Sequence, residues 1–188
     1  MGVTNPYATK VLDKIVHERL VANIDSFAAD AGIHPRWIWT STKGKLDDVE
    51  IDWAKAIRQH MADGSSLGLC YVGVDGVLER MSLMAGWFTR NFVRARVSTV
   101  STVLDGLSYD DEDLRQISCL LIPNLHTSRR SAGRLLPSQM TALQDLLVDR
   151  AALGLQTVIG IADPQGFAND FGAEVSRLVN DHYVMQHL

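Results

Sequence analysis

The sequence predicts an α/β fold, a parallel sheet sandwiched by helices. Three observations carry that expectation. The runs Leu67–Val72, Ile117–Pro123 and "LQTVIGIAD" are almost continuously apolar, as strands buried on both faces must be. Segments of helical periodicity separate them, giving the alternation of a parallel sheet with crossover helices. The chain has 188 residues, 46% hydrophobic and 21% charged, which suits one globular domain with a short appendage.

The elements follow in order. Pro6–Asp30 reads as a helix, with Val11, Leu12, Ile15, Val16 and Leu20 at three-to-four spacing and Gly32 as its stop. "IHPRWIWTSTKGKLDD" reads as a loop marked by Pro35 and Gly44, in which Trp37 and Trp39 plug a core edge. "DDVEIDWAKAIRQHMADG" returns to helix, with acids in its first turn and Gly64 at its end. Strand Leu67–Val72 leads through a glycine-bearing turn into helix Met81–Phe92, and Arg96–Val100 is a short β-branched strand. "TVLDGLSYDDEDLRQ" is helical in pieces, and Ile117–Pro123 is the next strand. An amphipathic helix is capped by Ser138 and stopped by Gly154. After "LQTVIGIAD" come a short helix, "FGAEVSRLVND", and a last strand, "HYVMQHL". The predicted division is an N-terminal helix and linker over 1–46 and the α/β domain over 47–188.

Several function classes recede on composition. No run approaches the eighteen apolar residues of a membrane span, and the charged N-terminus lacks a signal-peptide plan, so a cytoplasmic location with no membrane partner is expected. Cys70 and Cys119 lie in separate apolar strands and read as buried hydrophobes rather than a disulfide pair. A net charge of −4 is no general nucleic-acid footprint. The six histidines show no metal spacing, and "YDDEDL" lacks the glycine and glutamate plan of a calcium loop, reading instead as a solvated helix start.

The order "AGIHPRW", helix Asp47–Ala62, "LGLCYVG", "GVDGVLER", "ISCLLIPNL", "LQDLLVDRAALGLQTVIGIAD", "FGAEVSRL" resembles the AAA+ ATPases of the DnaC/IstB kind, loaders of replicative helicases and helper ATPases of transposons. The resemblance runs from about Ala31 to the C-terminus and implies a P-loop NTPase-like sheet. Against it, the nucleotide machinery is replaced. A P-loop surrounds phosphates with backbone N–H groups and a helix N-terminus while one lysine reaches the β/γ oxygens. Gly73 and Gly76 keep two turn positions, but Leu78 stands where the family has its last loop glycine. Glu79 stands for the lysine; two unit charges about 4 Å apart are worth roughly 4 kcal/mol at an effective dielectric of 20, so attraction becomes repulsion. Arg80 replaces the magnesium-ligating Ser/Thr, and a guanidinium has no lone pair for a metal. Pro123 and Asn124 stand where acids would hold Mg²⁺ and polarise water, and Ala162 where a polar sensor would be. Asp163, one residue on, points elsewhere by strand alternation.

The resemblance therefore implies a vestigial nucleotide site with no metal, no cofactor and no catalytic residue: a pseudo-ATPase acting as an interaction module in replication or transposition. Its implied partners are a replicative helicase or an active AAA+ relative. Arg177 in "FGAEVSRL" matches the family's arginine finger by its following Leu178, one residue short from Gly172, and reads equally as a solvated helix arginine. Two alternatives stand beside this. One is a nucleotide-binding ATPase in which Arg80 and the helix N-terminus hold a phosphate of ATP, with or without Mg²⁺. The other is a DNA-binding accessory domain contacting single-stranded DNA through Arg129, Arg130 and Arg134 of a Ser/Gly loop. Arg90, Arg94 and Arg96 sit near a helix end, where cations complement the dipole.

Overall fold

The computed structural model describes residues 5–109, 111–127 and 135–188. Five strands, β1 (Gly68–Val72), β2 (Ala95–Val97), β3 (Cys119–His126), β4 (Gln156–Ile161) and β5 (Tyr183–His187), form one sheet in the order β2-β3-β4-β1-β5. Every pairing is parallel. The expected α/β class holds.

Alternation along the strands divides the core between two faces. Cys70, Leu120, Ile122, Ile159 and Ile161 point to one, against α7 (Val100–Ser108), α8 (Glu112–Gln116), α9 (Pro137–Ala152) and α10 (Pro164–His182). Leu69, Tyr71, Cys119, Leu121 and Val158 point to the other, against α4 (Asp48–Lys55), α5 (Ile57–Asp63) and α6 (Val77–Arg90). Burial on both sides is why these strands carry no polar alternation. Cys70 and Cys119 are free and buried, and burial pushes each thiol up to about 12. Among the described residues no helix is long and apolar enough to cross a membrane.

Several elements differ from expectation. Pro6–Asp30 is not one helix but two short ones, α1 (Glu18–Ala22) and α2 (Ile24–Asp30), separated at Asn23 and preceded by turns. Upstream, the Asp13 carboxyl accepts from the N–H groups of Ile15 (2.8 Å) and Val16 (2.9 Å), a local alternative that competes with helical bonding. Ile15 and Val16 are consequently exposed, while Leu12, Leu20 and Ala28 pack with Ile38. Trp37 and Trp39 lie not in a loop but in α3 (Arg36–Trp39), packed against two different clusters. Helix α6 begins four residues early because the apolar stripe Val77, Met81, Met84, Phe88 starts there. Strand β2 ends at Val97, and the Thr99 hydroxyl accepts from Thr102 N–H to start α7.

Helix α9 begins at Pro137, with Leu136 rather than Ser138 at the cap position, since proline suits the first helical site. Helix α10 begins at Pro164, capped by Asp163, and is interrupted at Gly172 (φ 78°). The segment Tyr109–Leu114, save residue 110, is a helix start as expected: the Asp111 carboxyl accepts from Asp113 N–H at 3.0 Å.

Candidate functional site

The turn between β1 and α6 sits at the C-terminal ends of the strands, where open α/β sheets take ligands. Gly73 (φ 122°) and Gly76 (φ 74°) both adopt backbone that L side chains rarely visit, so both glycines have a geometric job in this turn. Gly73 N–H donates to the Ile161 carbonyl at 2.9 Å, tying the turn to β4. Its Cα faces Leu188, whose N–H donates to the Val72 carbonyl at 3.0 Å; a Cβ on Gly73 would come within 3.3 Å of the Leu188 oxygen. Helix α6 then starts with its N-terminus at the turn.

Among the described residues, what surrounds that helix start is not a cation. Val74, Leu78 and Glu79 are exposed, and Asp75 with them. Arg80 turns away from the turn to α4. Its Nη1 pairs with Oε2 of Glu50, which is fully buried, and lies 3.3 Å from Oδ2 of Asp47. Glu50 also accepts from the Tyr71 hydroxyl, and its Oε2 accepts the Asp47 N–H at 2.7 Å as part of the α4 capping box. Burial first, and the neighbouring Glu50 second, push the Tyr71 phenol well above its ordinary range. Gln186 of β5 donates to Asp47 Oδ2 at 2.8 Å, closing the network onto the edge strand. Among the described residues, Arg80 is thus the one cation beside four carboxyl groups, those of Asp47, Glu50, Asp75 and Glu79, that either touch it or flank the turn.

The second position is equally occupied by structural work. Pro123 lies inside β3, as the expected strand Ile117–Pro123 had it, and Asn124 lies inside it as well, because the strand continues to His126. Proline has no N–H for the ladder, and the register against β4 shifts between Ile122 and His126. The Pro123 carbonyl packs on Gly160, where any Cβ would overlap it. The Asn124 Oδ1 accepts the Val100 N–H at 3.1 Å, serving the start of α7. Ala162 follows β4 and donates its N–H to the His126 carbonyl at 2.9 Å. Asp163 points away as alternation predicts, and Oδ1 accepts from Gly166 N–H at 2.5 Å. Gly73 and Gly76 therefore lie in the turn after β1, Glu79 and Arg80 in the first turn of α6, Pro123 and Asn124 within β3, and Ala162 just after β4.

Arg177 is exposed on the second half of α10. Arg129, Arg130 and Arg134 lie outside the described residues. The other basic cluster is internally engaged. Arg90 is buried and donates to the carbonyls of Ile38 (3.2 Å) and Thr40 (3.0 Å). Arg94 pairs with Asp113 at 3.2 Å and Arg96 with Asp111 at 3.5 Å.

Sequence reasoning missed Glu50, Tyr71 and His126. The pattern Asp47-x-x-Glu50 was a readable capping signal, but nothing local said that Glu50 would be buried against α6. His126 is buried at the end of β3, its Nε2 3.5 Å from Asp170, its ring edge-on to Phe167. Its Nδ1 has no partner among the described residues.

No protein-family model matches the chain, and no curated protein matches it. Solved structures do. A DnaI structure aligns with TM-score 0.54 at 14% identity, over 82% of this chain and 90% of that one. A DNA replication initiation factor aligns with TM-score 0.57 at 10% identity, over 82% of this chain and 50% of that one. DnaA from Aquifex aeolicus, bound to AMPPCP, aligns with TM-score 0.50 at 11% identity, over 76% and 47%. The chain spans about half the length of the latter two. The chain shares with these proteins a P-loop NTPase-like fold, a parallel α/β sheet flanked by helices.

Proposed function

We propose that the chain is a catalytically inactive AAA+-like interaction module, a loader-like or ATPase-regulating factor of DNA replication or transposition. The observation that carries the inactivity is the engagement of Arg80. The only cation in the first turn of α6 is held by Glu50 and Asp47, while Glu79 stands free at the position of the phosphate-binding lysine. A triphosphate brought to this helix start meets exposed Leu78 and Glu79, and among the described residues only the N–H groups of the turn favour it. Bound magnesium lacks ligands, since Asn124 is spent on α7 and Pro123 offers no side-chain donor atom. Support for the replication context comes from the three structural neighbours.

In this proposal the partner is a replicative helicase or an active AAA+ relative, and exposed Arg177 completes the partner's ATP site in trans. The test compares the partner's ATP turnover with wild-type protein and with Arg177→Ala. The expected outcome is loss of most of the stimulation at unchanged binding. Equal stimulation by both proteins removes the finger role.

A further inference from the structure

The two edges of the sheet are finished differently. At β2 the edge is closed: Val97 N–H donates to the Ala31 carbonyl at 2.9 Å, and Gly32 lies so near the Val97 oxygen that any Cβ would overlap it. At the opposite edge, β5 has β1 as its sole strand partner, in unbroken register from Gly68↔Tyr183 to Val72↔His187. The Leu188 N–H donates to Val72 at 3.0 Å and the His182 carbonyl accepts from Leu67 at 2.9 Å, so the even-numbered residues face β1. By alternation, Met185 and His187 direct both backbone groups, and Tyr183 its carbonyl, away from β1; the Tyr183 N–H is taken by the Val179 carbonyl. Among the described residues these outward groups have no backbone partner.

Natural sheets guard such an edge with charge, proline, a bulge or a cover. The strand Tyr-Val-Met-Gln-His has no charged residue of fixed sign, no proline and no bulge. Its residues are half-buried to exposed beyond Tyr183.

We infer that β5 is a self-association edge, on which β5 of a second copy adds antiparallel about a twofold axis through Met185. Such an interface is isologous, each strand offering the other the same groups. Met185 exchanges both of its backbone bonds with its counterpart, and each His187 N–H meets the other copy's Tyr183 carbonyl. No like charges stand opposite one another.

The choice of a second copy over an unrelated extended segment rests on α4. At its N-terminal end Asp47 holds Gln186 at 2.8 Å. Toward its C-terminal end Trp53 Nε1 donates to Ser66 Oγ at 3.2 Å, and Ser66 lies against the His182 carbonyl. Helix α4 therefore runs antiparallel to β5 beside the open edge, with Asp47 and Asp48 at one end and, at the other, Lys55, which also pairs with Asp52 of its own helix at 3.3 Å. A twofold axis reverses the second copy, so the acidic end of each α4 comes alongside the Lys55 end of its mate. The inference does not depend on the nucleotide site or on the proposed function.

Sedimentation of the full chain across a concentration series, with amide exchange read at residues 185 and 187, tests it. Expected are a reversible dimer and protection of both amides that rises with concentration. Met185→Pro removes the central pair of bonds and is expected to raise the dissociation constant about tenfold or more. His187→Pro, at an exposed position, provides a second variant should Met185→Pro fail to fold, and each is checked for an unchanged melting temperature. A protein that stays monomeric, a dimer whose 185 and 187 amides exchange freely, or a dimer indifferent to both folded proline variants would each overturn the inference.

Discussion

Arg150 is fully buried on α9, yet among the described residues no carboxyl group pairs with it. Its guanidinium donates instead to the carbonyls of Leu114 (2.9 Å), Ile117 (3.0 Å) and Gln156 (2.6 Å) and to Thr157 Oγ1 (3.0 Å). It joins the end of α8, the start of β4 and the loop before β3. Arg150→Ala strands those acceptors without water and is expected to cost about 3 kcal/mol or more in urea unfolding; Arg150→Lys should recover little, since an ammonium lacks the planar fork. A loss below about 1 kcal/mol would contradict that bracing role. The cysteines make a second residue-scale prediction. Their thiols titrate near 9 when free and at about 12 in the fold, so between those values the folded state binds more protons than the unfolded one. Their contribution is full below pH 9 and is lost progressively as pH rises towards 12. Compared with a Cys70→Ala/Cys119→Ala variant, the wild type should lose stability over that window, and at pH 8 neither thiol should alkylate before global unfolding. Rapid native alkylation would place a thiol at the surface.

At the scale of elements, the strands were the most legible part, because burial on two faces leaves an unbroken apolar run. Helix boundaries were less so. The apolar spacing around Leu12 to Leu20 mimics a helix, but Asp13 and Asn23 divert the backbone, a contest decided by side-chain hydrogen bonds rather than periodicity. The glycine turn was legible from Gly73 and Gly76, whereas the fate of Arg80 was not: its partners Asp47 and Glu50 lie thirty or more residues upstream and reach it only through packing. The contact of α3 with α6 was likewise invisible in sequence. Gly86 sits under the Trp37 carbonyl with no room for a methyl group. Gly86→Ala should therefore cost about 1–3 kcal/mol by prying α3 off α6, in spite of alanine's better helix propensity. Chemical denaturation measures it; an unchanged or raised midpoint would show that α3 yields without cost.

At the scale of the whole molecule, a five-stranded parallel sheet is held between two cores, and in the proposed reading Arg80, Pro123 and Asn124 serve the fold while Glu79 presents the wrong charge to a triphosphate. The resemblance in the order of segments and the likeness to replication proteins agree on the fold. In that reading the chemistry turns on three adjacent residues, of which Arg80 also pairs with buried Glu50. Leu78→Gly/Glu79→Lys/Arg80→Thr rebuilds the spacing Gly-x-x-x-x-Gly-Lys-Thr on the existing turn. With Pro123 and Asn124 left in place, that variant is expected to bind ATP without turning it over. The most direct test is a calorimetric titration of wild-type and rebuilt protein with ATP and Mg²⁺, paired with thermal unfolding. The predicted result is no saturable heat and no shift for the wild type, and stabilisation of the rebuilt protein by about 2.7 kcal/mol at a hundredfold excess over its Kd. Saturable binding of ATP and magnesium by the wild type would contradict the account at its centre.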